Sequence, residues 1–303
     1  MSGVLNCIGG YLLGSCVSIV PWGQLVKLDR LGSGELLIAL DHALNLVVNF
    51  WGGARDRRLP LWRHATLAAA GSANAALANA ALVAALPVGV VVTLKNGSLV
   101  ASLLLGWLLG RTYNRRQILS VLGVTLGCTV TALSGARART DECGSGVEPR
   151  YAFGLACMLG SLACRAGVGF LQEAAFRAHP GATGAEICFY RALISLPAVG
   201  LATGSRVLAT AARWRASDDA AYRVFLCVFN VGGNVAMARA AIALIDRTNS
   251  VSAAVVMAVA RFASLAATTV LLGEQDAGLF LGSALVLAGV VGYAKATDKV
   301  KRS

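Results

Sequence analysis

Residues 88–110, VGVVVTLKNGSLVASLLLGWLLG, decide the class of fold, because this long apolar run carries a single charge, at Lys95. A helix that crosses a bilayer needs roughly 20 mostly apolar residues, and this stretch is long enough. Soluble domains carry about 25% charged residues, whereas this chain of 303 residues carries 14% and is 56% hydrophobic. The sequence therefore predicts an all-α membrane protein.

Ten apolar stretches of this kind follow one another along the chain with short polar links. They are Gly3–Val20, Leu36–Trp51, Ala65–Leu86, Val88–Gly110, Ile118–Leu133, Tyr151–Leu171, Ile187–Leu201, Val224–Leu244, Val251–Leu272 and Leu279–Ala294. Because they take up nearly the whole chain, we expect residues 1–303 to form a single transmembrane domain with no room for a soluble one.

The net charge of +12 comes mainly from Lys and Arg that flank the spans, and this position explains the charge without a nucleic-acid partner. More of these residues fall on the side that holds both termini, which predicts cytosolic termini. The tail contains Lys299 and Lys301 and is similar to the dilysine signals that return membrane proteins to the endoplasmic reticulum. A tail that merely follows the positive-inside rule is the alternative.

A short motif occurs in two of the spans. Residues 95–99 read KNGSL in the fourth span, and residues 261–265 read RFASL in the ninth. Spans four and nine run in opposite directions, so the two copies are inverted. This indicates ten transmembrane helices in an inverted five-plus-five repeat, with halves of about 1–135 and 150–303 and a site where the repeats meet.

Lys95 and Arg261 lie about two and about three helical turns from the nearer end of their spans. A charge at such depth costs several kcal/mol unless it is hydrated or paired. The spans offer few acids that could pair with these two cations, and Asp41 is the clearest of them. We therefore predict that an anionic ligand supplies the negative charge. A structural pairing of Asp41 with one of the two cations is the alternative. For Arg165, Arg191 and Arg239, snorkelling toward a nearby interface is the simpler interpretation.

Small residues stand four apart in several spans, as in Gly10 and Gly14 or Gly106 and Gly110, with a further pair at Gly123 and Gly127. This spacing places them on one helix face and predicts close helix packing.

Motifs of the common enzymes are missing from the sequence, which has no His cluster, no GxSxG and no paired carboxylates. The eight cysteines form no CxxC pair and lie mostly in apolar runs, where they act as small packing residues. We therefore predict no catalytic residue, no metal and no cofactor. A multispanning enzyme or scaffold that transports nothing is the alternative class, and the sequence leaves a homodimer open.

Four segments together resemble the nucleotide-sugar transporters of the drug/metabolite transporter superfamily, most closely the UDP-N-acetylglucosamine/UDP-xylose branch. They are GSCVS at 14–18, LKNGSL at 94–99, CFYR at 188–191 with SLP at 195–197, and residues 255–265 around Arg261. Arg191 stands where the family usually has Asn. The residues before Arg261, MAVA, differ from the Gly-Ala-Leu-Asn-Lys run of GDP-mannose carriers, which favours a UDP-sugar.

The resemblance implies a carrier that brings a cytosolic nucleotide sugar into the Golgi or endoplasmic reticulum in exchange for a nucleoside monophosphate. It implies that Lys95 and Arg261 meet the diphosphate and that Tyr190 lies near the base. The candidate substrate-binding residues are all polar or charged and lie in or beside spans: Asp41, Lys95, Asn96, Ser98, Tyr190, Arg191, Arg261 and Ser264. Another carrier of the superfamily, for a phosphorylated sugar or another metabolite, is the alternative.

Overall fold

The computed structural model of the protein describes residues 2–29, 33–54, 57–84, 86, 90–91, 94–143, 149–248, 250–251, 253–260, 281–289 and 292. Four candidate residues of the sequence analysis lie outside these ranges, namely Arg261, Ser264, Lys299 and Lys301. The described residues form helices, turns and short links and contain no strand. The predicted all-α class is therefore confirmed.

The helices are α1 (Ser2–Leu28), α2 (Ser33–Val48), α3 (Phe50–Gly53), α4 (Leu61–Val83), a 3₁₀ turn (Lys95–Gly97), α5 (Ser98–Leu108), α6 (Arg115–Cys143), α7 (Pro149–Ala178), α8 (Gly184–Arg215) and α9 (Ala220–Arg247). Residues 253–260 and 281–289 are also helical. These elements overlap each of the ten predicted spans. Five of them, α1, α4, α7, α8 and α9, are long and apolar enough to cross a membrane, and the count of ten spans stays a prediction.

Several helices extend well beyond the apolar stretches that predicted them, and α7 and α8 are two examples. Helix α7 has 30 residues and continues past Leu171 to Ala178, and α8 has 32 residues and continues past Leu201 to Arg215. Their polar ends retain good helix formers such as Ala, Leu, Glu and Arg, so the backbone stays helical after the hydropathy falls. Hydropathy thus located the spans but underestimated their length.

The chain divides into two compact units. Unit 1 comprises Met1–Ala75 and Leu171–Thr248, and unit 2 comprises Ala76–Phe170 and Asn249–Ser303. Each unit thus combines parts of both sequence halves, and the division into repeat halves stays a prediction. Helices α4 and α7 each contribute one end to unit 1 and the other to unit 2.

In unit 1, α1 packs closely against α9 through two glycines. A Cβ atom placed on Gly14 would lie 2.9 Å from the carbonyl oxygen of Gly233, so neither position has room for a side chain. One turn away, the Ser18 hydroxyl bonds to Asn234 Oδ1 at 2.7 Å, and the Asn230 amide donates to the Ser18 carbonyl at 2.9 Å. Small residues and polar contacts of this kind join helices in an apolar environment.

Unit 2 contains close helix contacts built in the same way. A Cβ atom on Gly127 of α6 would lie 2.5 Å from the carbonyl oxygen of Gly282, and one on Gly154 of α7 would lie 3.3 Å from that of Ala81 on α4. The predicted packing role is confirmed for Gly14 and Gly127.

Gly110 has a different role from the one its spacing indicated. Its φ of 82° is in the left-handed region, and it ends α5. The Gly110 N–H bonds to the Trp107 carbonyl and the Arg111 N–H to the Gly106 carbonyl, both at 2.9 Å. This pattern is a Schellman cap, which requires the conformational freedom of glycine.

Candidate substrate-binding site

Lys95 lies in unit 2 on a short 3₁₀ turn that precedes α5. Its side chain is half-buried, and its neighbours Asn96 and Ser98 are 1% and 3% exposed. Asn96 Oδ1 is buried and accepts no hydrogen bond from the described residues. A break in regular helix within an apolar span is tolerated where it is buried in protein or lines a cavity. The structure thus brings together three of the predicted residues inside unit 2.

The turn is held tightly between two long helices. A Cβ atom on Gly97 would lie 3.0 Å from Leu162 Cδ1 on α7 and 3.8 Å from Cys128 Sγ on α6. Any larger residue at position 97 would have to displace the Leu162 side chain. The position of Lys95 is therefore fixed by close packing of the residues that follow it.

Arg165 lies near the middle of α7, and its Nη2 is 3.6 Å from the Met257 sulphur. Because α7 continues to Ala178, Arg165 is about 20 Å from the nearer helix end. Its half-buried side chain turns toward the helical segment 253–260 of the same unit. The guanidinium is thus directed at a neighbouring helical segment of unit 2, and snorkelling of Arg165 to an interface stays a prediction.

In unit 1, Arg191 on α8 faces α2 and α4. It interacts electrostatically with Asp41 and His42, and a Cβ atom on Gly71 of α4 would lie 3.5 Å from its Cδ. The Asn45 amide donates to the Asp41 carbonyl at 2.9 Å. Arg191 is thus directed into unit 1, next to the one acid that the sequence singled out.

Asp41 and His42 each keep one polar atom free for a further partner. Asp41 Oδ1 and His42 Nδ1 are buried and make no hydrogen bond to any described residue. Buried polar atoms are almost always hydrogen-bonded, so these two mark a place where a ligand or water belongs.

Glu186, near the start of α8, forms a buried charged cluster that the sequence analysis missed. Its Oε1 accepts the backbone N–H groups of Arg58 at 2.8 Å and Leu59 at 2.7 Å. The same oxygen is 3.2 Å from His64 Nε2, and the two side chains are 1% and 0% exposed. These hydrogen bonds hold the segment before α4, at Arg58 and Leu59, against the beginning of α8.

A capping-box spacing was the signal that could have found this cluster. Thr183 caps α8 by accepting the Glu186 N–H at 3.1 Å, and Thr and Glu three residues apart are the usual pattern. Here the Glu186 carboxylate accepts the N–H groups of Arg58 and Leu59, which are distant in the sequence, and not the N–H group of the capping residue Thr183.

Tyr190 packs on the same cluster. Its ring stacks on His64 at a centroid distance of 4.6 Å and meets Phe189 edge-on at 5.2 Å. Phe189 in turn packs against Phe50 of α3 at 5.9 Å. Since the imidazole covers one face of Tyr190, only the opposite face is left for a stacking ligand.

The predicted residues therefore form two groups. Lys95, Asn96 and Ser98 lie in unit 2, and Asp41, Tyr190 and Arg191 lie in unit 1. The predicted roles of Arg261 and Ser264 concern residues outside the described part of the chain.

Five helices that are long and apolar enough to cross a membrane are typical of a multi-pass membrane protein. The model of the UAA transporter family matches residues 4–297, and the chain belongs to that family. It is therefore a membrane transporter and not an enzyme. The match confirms the resemblance that the motifs around Lys95, Tyr190 and Arg261 indicated.

The chain is similar to the UDP-N-acetylglucosamine transporter slc35b4 of Dictyostelium discoideum, with 27% identity over 149 residues. That alignment covers 48% of this chain and 42% of the relative, so it spans less than half of the relative's length. A solved structure described only as the crystal structure of a protein aligns over 97% of this chain and 98% of its own. With a TM-score of 0.52 and 19% identity, this likeness shows a shared fold alone.

Proposed function

We propose that the protein is a nucleotide-sugar antiporter that moves a cytosolic UDP-sugar, of the UDP-N-acetylglucosamine or UDP-xylose type, into the lumen in exchange for UMP. The observation that carries this proposal is the half-buried Lys95 on a 3₁₀ turn inside unit 2. A cation held at that depth is expected to serve an anionic substrate. The family match over residues 4–297 and the similarity to a UDP-N-acetylglucosamine transporter support the same substrate class.

The sequence of unit 2 supports an anionic substrate independently. Its predicted spans, residues 76–86, 88–110, 118–133, 151–170, 251–272 and 279–294, contain no Asp or Glu, and their basic residues are Lys95, Arg165 and Arg261. Positive charge therefore exceeds negative charge in the apolar part of this unit. The diphosphate of a nucleotide sugar would balance it.

Unit 1 offers groups suited to the base and the ribose. Tyr190 has one ring face for stacking on uracil, and Arg191 has donors for the uracil carbonyl groups. The free Asp41 oxygen is an acceptor for a hydroxyl group. Arg191 replaces the Asn that the family usually has, so we assign base recognition in this chain to a charged donor.

Contacts inside the units support the ten-helix inverted repeat that we propose as the architecture. In such a repeat the first span corresponds to the sixth and the eighth to the third, so a contact of α1 with α9 corresponds to one of α7 with α4. Both contacts are present and both are built on a glycine, Gly14 in unit 1 and Gly154 in unit 2. Transport would then proceed by alternating access of a central site.

We place the carrier in the Golgi or endoplasmic reticulum membrane with both termini in the cytosol. The excess of Lys and Arg on the terminal side supports this orientation, and Lys299 and Lys301 would act as a retrieval signal. Replacing both lysines with Ser should move a tagged protein out of the endoplasmic reticulum. An unchanged distribution, or a C-terminal tag that antibodies reach only after the internal membrane is opened, would contradict this placement.

Exchange in reconstituted vesicles tests the transport proposal. The purified protein is placed in liposomes preloaded with UMP, and uptake of labelled UDP-N-acetylglucosamine, UDP-xylose and GDP-mannose is measured. We expect uptake of a UDP-sugar that depends on internal UMP and exceeds uptake of GDP-mannose. Liposomes without internal UMP are the control, and lack of stimulated uptake of every nucleotide sugar would refute the proposal.

A further inference from the structure

Arg165 occupies the middle of α7, a helix of 30 residues with good length to cross a bilayer. Both helix ends are about 20 Å or more from it, and its side chain is half-buried within unit 2. An Arg inside an apolar helix of this kind is costly and marks a functional site by default.

Two contacts fix the surroundings of Arg165 within unit 2. Leu162, three residues earlier on the same face of α7, abuts Gly97 of the turn that carries Lys95. The Arg165 guanidinium itself reaches Met257 Sδ at 3.6 Å on the segment 253–260. Arg165 therefore lies on the α7 face directed at the Lys95 turn, against the helical segment that precedes Arg261 in the sequence.

The chemistry of these neighbours gives Arg165 a specific role. A thioether is a weak acceptor, whereas a guanidinium has five donors in a planar fork that matches phosphate oxygens. A phosphate ligand at this place would be met by donors from α7 and from the Lys95 turn.

We propose that Arg165 is a phosphate-binding residue of the carrier, which binds the diphosphate of the nucleotide sugar together with Lys95. This inference rests on the proposed function and deepens it by adding a third cation to the site. The forked guanidinium would fix the orientation of the phosphates, and Lys95 would act as a point charge.

Three variants test this role. Arg165→Met removes the charge and keeps the length of the side chain beside Met257, and Arg165→Lys keeps the charge without the fork. Arg150→Met is the matched control, because Arg150 is an exposed residue of the same helix. Each protein is measured for UDP-N-acetylglucosamine exchange against internal UMP and for the rise in thermal midpoint caused by inorganic pyrophosphate.

Arg165→Met should raise the KM for the UDP-sugar by about tenfold or more, the usual loss for a charge-assisted hydrogen bond. It should abolish stabilisation by pyrophosphate, while the midpoint without ligand stays equal or rises because a deep charge has been removed. Arg165→Lys should be intermediate in KM, and Arg150→Met should behave as the wild type.

The opposite results are distinguishable. A folded Arg165→Met protein with unchanged KM and unchanged response to pyrophosphate overturns the role of Arg165. If that variant does not fold, an Arg165→Lys protein with unchanged KM and pyrophosphate response overturns it, because loss of the fork must then have no effect on binding. If the wild type exchanges no nucleotide sugar but responds to pyrophosphate, and Arg165→Met does not respond, the proposed function fails and the phosphate site stands. A wild type that does not respond to pyrophosphate overturns the site.

Discussion

Units 1 and 2 hold their charged groups in opposite ways. In unit 1, acids and bases form close pairs: His64 with Glu186, Arg177 with Glu173, Arg206 with Glu35, and Arg213 with Asp29. The apolar segments of unit 2 carry Lys95, Arg165 and Arg261 and no acid in their sequence. Of the unit 1 pairs only His64 with Glu186 is buried, because the side chains of Arg177, Arg206 and Arg213 are 70%, 68% and 60% exposed. The buried carboxylate of unit 1 thus has its partner within the unit, whereas the apolar sequence of unit 2 carries basic residues only.

This difference separates structural charge from functional charge. A buried carboxylate oxygen that accepts several hydrogen bonds within its own unit, as Glu186 Oε1 does, stabilises the fold. A cation deep in an apolar segment without an acid nearby in that sequence adds a cost that a bound anion can offset. Loss of a unit 1 charge that is paired within its unit, such as Glu186, should therefore affect stability, and loss of Lys95 or Arg165 in unit 2 should affect transport.

The largest expected effect follows removal of Lys95. Lys95→Met should abolish exchange, with a fall of about a hundredfold or more in kcat/KM, because the substrate loses a charge partner in an apolar site. The thermal midpoint should stay equal or rise. Uptake by UMP-loaded liposomes and unfolding in detergent measure the two quantities, and Lys27→Met at the exposed end of α1 is the control.

Arg261→Met should behave in the same way if the inverted repeat makes the two positions equivalent. Retained exchange in either variant would show that the cations of unit 2 are structural, and the contrast between the units would then fail.

Removal of Glu186 in unit 1 should have the reverse effect and lower the stability of the protein. Glu186→Ala would leave the N–H groups of Arg58 and Leu59 and the ring of His64 without their acceptor. At about 1–3 kcal/mol for each buried unsatisfied group, the loss of stability should reach several kcal/mol. Thermal unfolding measures it, and Glu186→Gln, which keeps one oxygen, should lose less. A stable Glu186→Ala protein with impaired exchange would place Glu186 with the substrate groups instead.

These two residues also show what the sequence could and could not predict. Lys95 was found from the sequence because its evidence is local: one charge in a long apolar run, and a second copy of its motif. The bond between His64 and Glu186 joins residues separated by 122 positions, so it depends on tertiary packing that no local pattern encodes.

Helix α7 shows why hydropathy underestimates the length of a helix. The apolar run ends at Leu171, because Glu173 and Arg177 lower the hydropathy beyond it. These two residues pair with each other four positions apart, which favours continued helix to Ala178. Hydropathy locates the apolar run, whereas helix length depends also on such polar pairs, so the end of the run does not mark the end of the helix.

A third prediction concerns packing, which both units achieve in the same way. Gly14→Ala puts a methyl group 2.9 Å from the Gly233 carbonyl oxygen and should destabilise the protein by about 1–3 kcal/mol. Gly9→Ala is the matched control on α1, because a Cβ there meets nothing within 4 Å. That control should stabilise the helix by about 0.5–1 kcal/mol. Equal midpoints for the two variants would show that α1 and α9 have more space than the glycine contact indicates.

The smallest effect is expected where a unit 1 pair is exposed to solvent. Arg206 and Glu35 are 2.7 Å apart, but the Arg206 side chain is 68% exposed. Exposed ion pairs contribute about 0–1 kcal/mol, because water screens the charges and holding two long side chains costs entropy. Arg206→Ala should therefore shift the thermal midpoint only slightly and leave exchange unchanged. If it destabilises the protein as much as Glu186→Ala does, burial is not what makes unit 1 charges structural.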